Sequence, residues 1–139
     1  MTITFESPST GELAMPIREK QVVLVVDDNQ DAADTLALLL RYRGLNVHVA
    51  YDSKKGLALA GTLKPDIIFH DIAMPEPNGY VVAAQLKSDP LLSNTLLVAL
   101  TAYTRACDRH ESARAGFDIH VGKPMEVETL DVILRKFGG

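Results

Sequence analysis

Short apolar runs separated by polar breaks recur along the chain after residue 20. Continuous apolar runs at 21–26 and 95–100 predict strands buried on both faces, as parallel strands usually are. The alternating segment 45–50 and the short β-branched segments 67–69 and 119–121 predict three more strands. The chain is therefore expected to contain five strands.

Helical periodicity fills the intervals between these strands. Segments 31–43, 53–63, 80–87, 104–115 and 127–137 carry apolar residues at helical spacing. Gly44 is expected to end the first helix, and Ser53 is expected to cap the second. The fourth segment has a poor apolar face, which predicts either a mobile element or a merely solvated helix.

Five successive strand–helix units predict a parallel sheet with right-handed crossovers and helices on both faces. Residues 1–20 contain Ser7-Pro8 and Gly11 without sustained periodicity, and we expect a flexible tail or linker there. Residues 21–139 are expected to form one domain. About 15 residues follow the last strand, which is room for one helix and not for an added DNA-binding domain.

Composition narrows the function classes. The 139 residues include 47% hydrophobic and 23% charged residues and carry a formal charge of −4, as in an ordinary soluble domain. The mild acidity argues against a nucleic-acid partner, and no apolar stretch has the length of a membrane span. Cys107 is the only cysteine, so no internal disulfide forms and a cytoplasmic location is expected.

Polar groups follow four of the predicted strands. They are Asp27 with Asp28, then Asp71, Thr101 and Lys123. The carboxyl ends of parallel strands lie along one edge, so these residues are expected to converge. Clustered carboxylates suit a hard cation such as Mg²⁺, and an acid, a metal, a lysine and a hydroxyl can together receive a phosphoryl group.

The motifs around these residues resemble the receiver domains of bacterial two-component response regulators. The matching elements are Val-Asp27-Asp28, His-Asp71-Ile-Ala-Met-Pro75 with Gly79, Leu-Thr101-Ala102 and Gly-Lys123-Pro124. The resemblance extends from about residue 22 to residue 137. It implies a flavodoxin-like (βα)5 fold, a doubly wound parallel sheet of strand order 2-1-3-4-5.

The resemblance also implies a role for each residue of the motifs. Asp71 would be the phosphoacceptor and a ligand of Mg²⁺. Asp28 would bind the metal directly, Asp27 would act through water, and the backbone carbonyl of Ala73 would complete the protein ligands. Lys123 would contact the phosphoryl oxygens, and the peptide bond that follows it is often cis in this family.

Two further implications concern switching and lifetime. Thr101 would be the switch hydroxyl, and His120 stands where the family usually carries its rotameric Tyr or Phe. His120 is either that partner or only a surface residue of a short strand. Ala73 and Tyr103 occupy positions that tune the lifetime of the phosphorylated state. His70 replaces a commoner apolar residue, and strand alternation turns its side chain away from Asp71.

The function implied is a phosphoacceptor module of a two-component or phosphorelay system. A histidine kinase or histidine phosphotransfer domain would phosphorylate Asp71, and the module would then act on an unknown downstream protein, with homodimerisation as one outcome. Its catalysis would be limited to its own phosphorylation and dephosphorylation.

Two other functions remain as alternatives. An aspartyl-phosphate phosphohydrolase of the haloacid-dehalogenase type lacks its second aspartate here, because that position is Ala73. A receiver-like scaffold that works without phosphate is the second. The chain is either a stand-alone regulator or the receiver of a hybrid kinase.

Overall fold

The computed structural model describes residues 21–75, 78–101 and 113–137. Five strands alternate with helices along this part of the chain. The strands are β1 (Val22–Val26), β2 (Asn46–Ala50), β3 (Ile67–Asp71), β4 (Leu96–Thr101) and β5 (Ile119–Gly122). The helices are α1 (Gln30–Tyr42), α2 (Ser53–Leu63), α3 (Gly79–Lys87) and α4 (Val127–Phe137), with a 3₁₀ turn at Pro90–Leu92.

The strands form one parallel sheet in the order β2-β1-β3-β4-β5. β3 lies at the centre, where Val25 is paired with Phe69 and Phe69 with Val98. The strand order that the resemblance implies is therefore confirmed. All five carboxyl ends lie along the same edge, so the residues that follow the strands are brought together.

The sheet is covered on both faces by apolar side chains. On one face α1 and α4 contribute Leu36, Leu40, Leu130 and Ile133 to a core that includes Phe69. On the other face α2 and α3 contribute a second core, whose members include Ala60, Val82, Ala83 and Leu86. Every residue of β3 is buried, which explains why its sequence lacks the alternation of a half-exposed strand.

Short polar side chains begin the helices. Asn29, Asp52 and Asn78 each accept a hydrogen bond from a backbone N–H in the first turn of α1, α2 and α3. Asp52, rather than Ser53, caps α2, so the prediction of Ser53 as the cap was wrong. Ser53 is the first helical residue and is buried, because its hydroxyl contacts the sulfur of Met74 at 3.9 Å.

Some expectations fall outside the described residues. They concern the tail at 1–20, most of the predicted fourth helix, and the positions of Tyr103 and Cys107. At the end of that predicted helix, residues 113–115 are helical and Gly116 follows with a φ of +118°. Among the helices described, none combines the length and the apolar character that crossing a membrane requires.

Candidate functional site

Three carboxylates meet at the carboxyl edge of the sheet. Asp27 and Asp28 directly follow β1, and Asp71 is the last residue of the adjacent β3. Asp27, Asp28 and Asp71 each offer one oxygen in a group whose members all lie within 4.8 Å of one another. Asp27 and Asp71 are buried, whereas Asp28 is exposed.

Lys123 links two of these carboxylates. Its Nζ lies 2.8 Å from Oδ2 of Asp27 and 3.2 Å from Oδ2 of Asp71. Its backbone N–H donates to the carbonyl of Thr101 at 2.7 Å, which ties the segment after β5 to the end of β4. The following peptide bond, Lys123–Pro124, is cis, as the resemblance implied.

Burial and charge set the protonation behaviour of Asp71. Burial raises the pKa of its carboxyl, and the nearby charge of Asp27 raises it further, against the opposing effect of Lys123. Burial lowers the pKa of Lys123, but the bonds and charges of Asp27 and Asp71 outweigh it and leave the pKa raised. The lysine therefore stays charged among carboxylates that it cannot fully neutralise.

This donor set fits a hard divalent cation. The carboxylate oxygens lie close together, and ionisation of Asp71 is disfavoured without further positive charge. A bound Mg²⁺ would supply that charge and balance the carboxylates. Asp28 is open to solvent, so it can bind a partly hydrated ion. Asp27 is more constrained, since its Oδ1 accepts the N–H of Asn29 at 3.0 Å while Lys123 holds Oδ2.

The loop after Asp71 is fixed by backbone contacts. The N–H of Ala73 donates to Oδ1 of Asp71 at 3.0 Å, and the carbonyl of Ile72 accepts from both Met74 and Gly79. A Cβ placed on Gly79 would lie 2.7 Å from Cα of Ile72 and 2.9 Å from the carbonyl oxygen of Asp71. Glycine at this position therefore allows α3 to begin against the end of β3.

The predicted switch residues lie on β4 and β5, the two strands beyond β3 in the sheet. Thr101 is buried at the end of β4, next to Gly122 in the register. His120 is half-buried on β5, in line with Ala99. Ala73 is exposed, and the structure thus leaves the position two residues after Asp71 open to solvent.

Three contacts were not foreseen from the sequence. Asn29 caps α1 and donates its backbone N–H to Asp27. The cap could have been predicted, because Asn directly before a helical segment is a recognised cap signal. His70 lies with its Nδ1 2.7 Å from the carbonyl oxygen of Asp71, so it contacts the backbone of the residue from which its side chain was expected to turn away. Tyr51 donates its hydroxyl to Asp34 at 2.6 Å.

A cavity of about 360 Å³ lies beside the Asp27–Lys123 pair. Its walls come from the first turns of α1 and from the segment after β5, including Leu36 and Met125. Asp27 lines this cavity, whereas Asp28 and Asp71 are not among its walls.

A protein-family model matches most of this chain. The model of the response regulator receiver domain covers residues 23–135 of this chain, which includes β2 to β5, β1 from its second residue onward, and the three carboxylates. The chain belongs to this family. The phosphohydrolase and scaffold alternatives are not favoured, and the receiver domain is a signalling module.

Curated relatives show how this receiver domain occurs in other proteins. An uncharacterised 14.6 kDa protein of Leptolyngbya boryana is 36% identical over 83% of this chain and 88% of its own length. The DNA-binding dual master transcriptional regulator RpaA of Synechocystis is 32% identical over 78% of this chain, which spans 45% of that regulator. The sensor histidine kinase AtsR of Burkholderia thailandensis is 32% identical over 81% of this chain and 19% of the kinase.

Solved structures agree with the fold. The chemotaxis protein CheY4 of Vibrio cholerae superposes with a TM-score of 0.80 at 26% identity, over 85% of this chain and 98% of that chain. A response regulator of Burkholderia pseudomallei, solved with a phosphorylated aspartic acid and a calcium ion, has a TM-score of 0.74 at 30% identity. That match covers 81% of this chain and 65% of the other chain.

Proposed function

We propose that Asp71 accepts a phosphoryl group from a phosphohistidine of a histidine kinase or phosphotransfer domain. The observation that carries this proposal is the position of Asp71 at the end of the central strand, with Asp28 and Asp27 on one side and Lys123 in contact. An oxygen of Asp71 attacks phosphorus, the phosphorus–nitrogen bond breaks, and the leaving imidazole nitrogen keeps the electron pair and takes a proton.

The residues of the site have separate roles in the proposed reaction. Asp28, Asp71 and the backbone carbonyl of Ala73 would hold Mg²⁺, with Asp27 acting through water. When bound, the ion supplies positive charge that neutralises the phosphoryl oxygens. Lys123 adds a fixed positive charge within 3.2 Å of Asp71. The N–H of Ala73 orients the acceptor carboxylate by donating to its Oδ1.

Phosphorylation would then shift an equilibrium between two arrangements of Thr101 and His120. The buried hydroxyl of Thr101 lies at the end of β4, from which it can turn toward an anion on Asp71. The half-buried His120 would change its exposure in response. A downstream protein would recognise the altered surface, and a phosphorylation-dependent homodimer is one form that this recognition could take.

The biological context is part of the proposal. Relatives in which this domain accounts for less than half of the length include a DNA-binding regulator and a sensor kinase. We propose that this chain works by protein contact in the cytoplasm, whether alone or as the receiver of a longer kinase. Residues 1–20 would serve as a linker to any preceding part.

Intact-mass measurement after incubation with acetyl phosphate and Mg²⁺ tests the proposal. We expect one adduct of phosphoryl mass that disappears with EDTA and in Asp71→Asn. Ser88→Ala is a matched control, because this exposed hydroxyl lies away from the carboxylates and only donates to the carbonyl of Gln85. Persistence of the adduct in Asp71→Asn would contradict the assignment of the acceptor.

A further inference from the structure

His70 is a buried histidine that the phosphotransfer chemistry does not use. Only 1% of it is exposed, and its Nδ1 lies 2.7 Å from the carbonyl oxygen of Asp71. Because a carbonyl can only accept, Nδ1 carries a hydrogen and donates it. Burial lowers the pKa of His70, against smaller raising effects of the Asp71 carbonyl and of Asp27. A second ring proton would leave a buried charge at Nε2 with no hydrogen-bond partner among the described residues, so the ring is neutral and Nε2 carries a lone pair.

That lone pair has no hydrogen-bond partner among the residues that the structure describes. Buried polar atoms in folded proteins are nearly always paired, so an exception indicates an unused acceptor. The neighbour of His70 in β1 is Val26, and the core on this face includes Ile72 and Ala50. None of these three side chains can donate a hydrogen bond.

The strand register places a second histidine in the same row. His70 is paired with Ala99, and Ala99 is paired with His120. Register partners in a parallel sheet point to the same face, and Ala99 belongs to the core beneath α2 and α3. His70 and His120 therefore lie on one face, on either side of Ala99. Two strand spacings of about 4.8 Å separate their backbones by about 10 Å.

Ala99 is the residue that separates the two histidines in this row. It is fully buried, yet it contributes only a methyl group where a longer residue would fill the space. His120 lies on the edge strand and is half-buried, so its side chain can occupy an outward or an inward rotamer. An inward imidazole would extend over Ala99 toward His70.

We propose that His120, in its inward rotamer, donates a ring N–H to Nε2 of His70 across Ala99. His70 is then a positioning residue that holds the switched state, and the two histidines act as a pair. The inference rests on the proposed function, because it gives the inward arrangement a hydrogen bond that the outward arrangement lacks. The pair also explains both histidines together, since His70 replaces a commoner apolar residue and His120 stands where the family usually carries Tyr or Phe.

Thr101 is the competing donor. It lies two residues beyond Ala99 and thus on the same face, and its hydroxyl could also reach the region of His70. Phosphorylation in the proposed function turns this hydroxyl toward Asp71, which removes it from the face just when His120 moves inward. A test must therefore identify the donor atom and not only the change at His70.

Nitrogen NMR of the full-length ¹⁵N-labelled chain makes this distinction. Beryllofluoride with Mg²⁺ serves as the phosphoryl mimic, and its ¹⁹F signal shows independently whether it is bound. We expect a ¹⁵N–¹⁵N coupling across the hydrogen bond, between Nε2 of His70 and a ring nitrogen of His120, that strengthens on binding. His70→Leu and His120→Leu assign the two rings.

Each other outcome overturns a specific claim. If the mimic binds and Nε2 of His70 shows no change, the pair does not form. If Nε2 changes its shift without coupling to a nitrogen, the donor is a hydroxyl and the assignment to His120 is wrong. If no mimic binds, the proposed function itself fails, and the pair fails with it.

A double-mutant cycle on beryllofluoride affinity gives a second test. His120→Leu should weaken binding roughly fivefold in the native background and have no effect in the His70→Leu background, as the loss of one hydrogen bond predicts. Because His120→Leu is compared in both backgrounds, the effect of losing the His70–Asp71 contact is subtracted from the coupling between the two histidines. His120→Asn, which keeps a side-chain N–H, should restore part of the coupling. His48→Leu, a half-buried strand histidine on β2, is the control. Independent effects of the two substitutions would overturn the pair.

Discussion

Substitution of Gly79 by alanine perturbs the site through one methyl group. The added Cβ would lie 2.7 Å from Cα of Ile72 and 2.9 Å from the carbonyl oxygen of Asp71. Both are backbone atoms, so no side-chain rotation relieves the contact. The start of α3 must move away from the end of β3, or the loop that carries Ala73 must shift.

The size of the effect follows from these contacts. Overpacking a rigid site costs about 1–3 kcal/mol. The intrinsic helix preference of alanine over glycine returns up to about 1 kcal/mol, and less at a first helical position. We therefore expect a net destabilisation of about 1–2 kcal/mol. For a domain of this size that corresponds to a fall in Tm of roughly 4–10 °C.

Gly61→Ala provides the matched control. Gly61 lies inside α2, and an added Cβ there would meet nothing within 4 Å. This variant should gain about 0.5–1 kcal/mol from helix propensity alone. Urea denaturation followed by circular dichroism, with Mg²⁺ titration of the folded variants, measures both effects. Gly79→Ala should also bind Mg²⁺ more weakly. A Gly79→Ala variant as stable as the native chain would refute the close-approach argument.

Four further predictions concern the site. In EDTA, the folded state raises the pKa of Asp71, so ionisation of this carboxyl destabilises the fold. The stability that its protonated form contributes is complete below the unfolded pKa near 3.8 and is lost as pH rises through the folded pKa. Asp71→Asn should therefore be more stable than the native chain above about pH 4, measured by urea denaturation. Mg²⁺ at 100 times its Kd should stabilise the native chain by about 2.7 kcal/mol, and Asp28→Asn should lose most of that gain. Lys123→Met leaves the buried Asp27 without its 2.8 Å partner and should cost about 2–3 kcal/mol in EDTA while slowing phosphorylation, whereas unchanged stability would contradict the pairing. The bulky side chain of Tyr103 is expected to shield the acyl phosphate on Asp71 from water, so Tyr103→Ala should shorten the lifetime of the phosphorylated state measured by decay of the adduct. An unchanged or longer lifetime would contradict this shielding.

Most of the fold could be predicted because each strand is marked at both ends. The apolar run before Asp27 and the β-branched run between Pro65 and Asp71 identify strands buried on both faces. The predictions of where the helices begin were less accurate. Ser53 and Asp52 are both good caps by residue type, but Asp52 accepts the N–H of Lys55, whereas Ser53 is buried with its hydroxyl against Met74.

The sequence was enough to predict which residues converge at the site, but not all of their contacts. Strand ends bring Asp27, Asp71, Thr101 and Lys123 together in any sheet of this order. The contact of His70 with the carbonyl of Asp71 was not predictable, because strand alternation gives the direction of a side chain and not its hydrogen-bond partner. The row that joins His70 to the histidine of β5 likewise depends on register, and register is a property of the paired strands.

The most direct test of the central claim is chemical trapping of the phosphorylated residue. An acyl phosphate is reduced by borohydride to an alcohol, which converts a modified aspartate to homoserine. After treatment with acetyl phosphate and Mg²⁺, peptide mass spectrometry should find homoserine at position 71 and unmodified aspartate at positions 27 and 28. Homoserine at either of the other two positions, or none anywhere in a folded chain that binds Mg²⁺ and has been exposed to a phosphohistidine donor, would contradict the assignment of Asp71 as the phosphoacceptor.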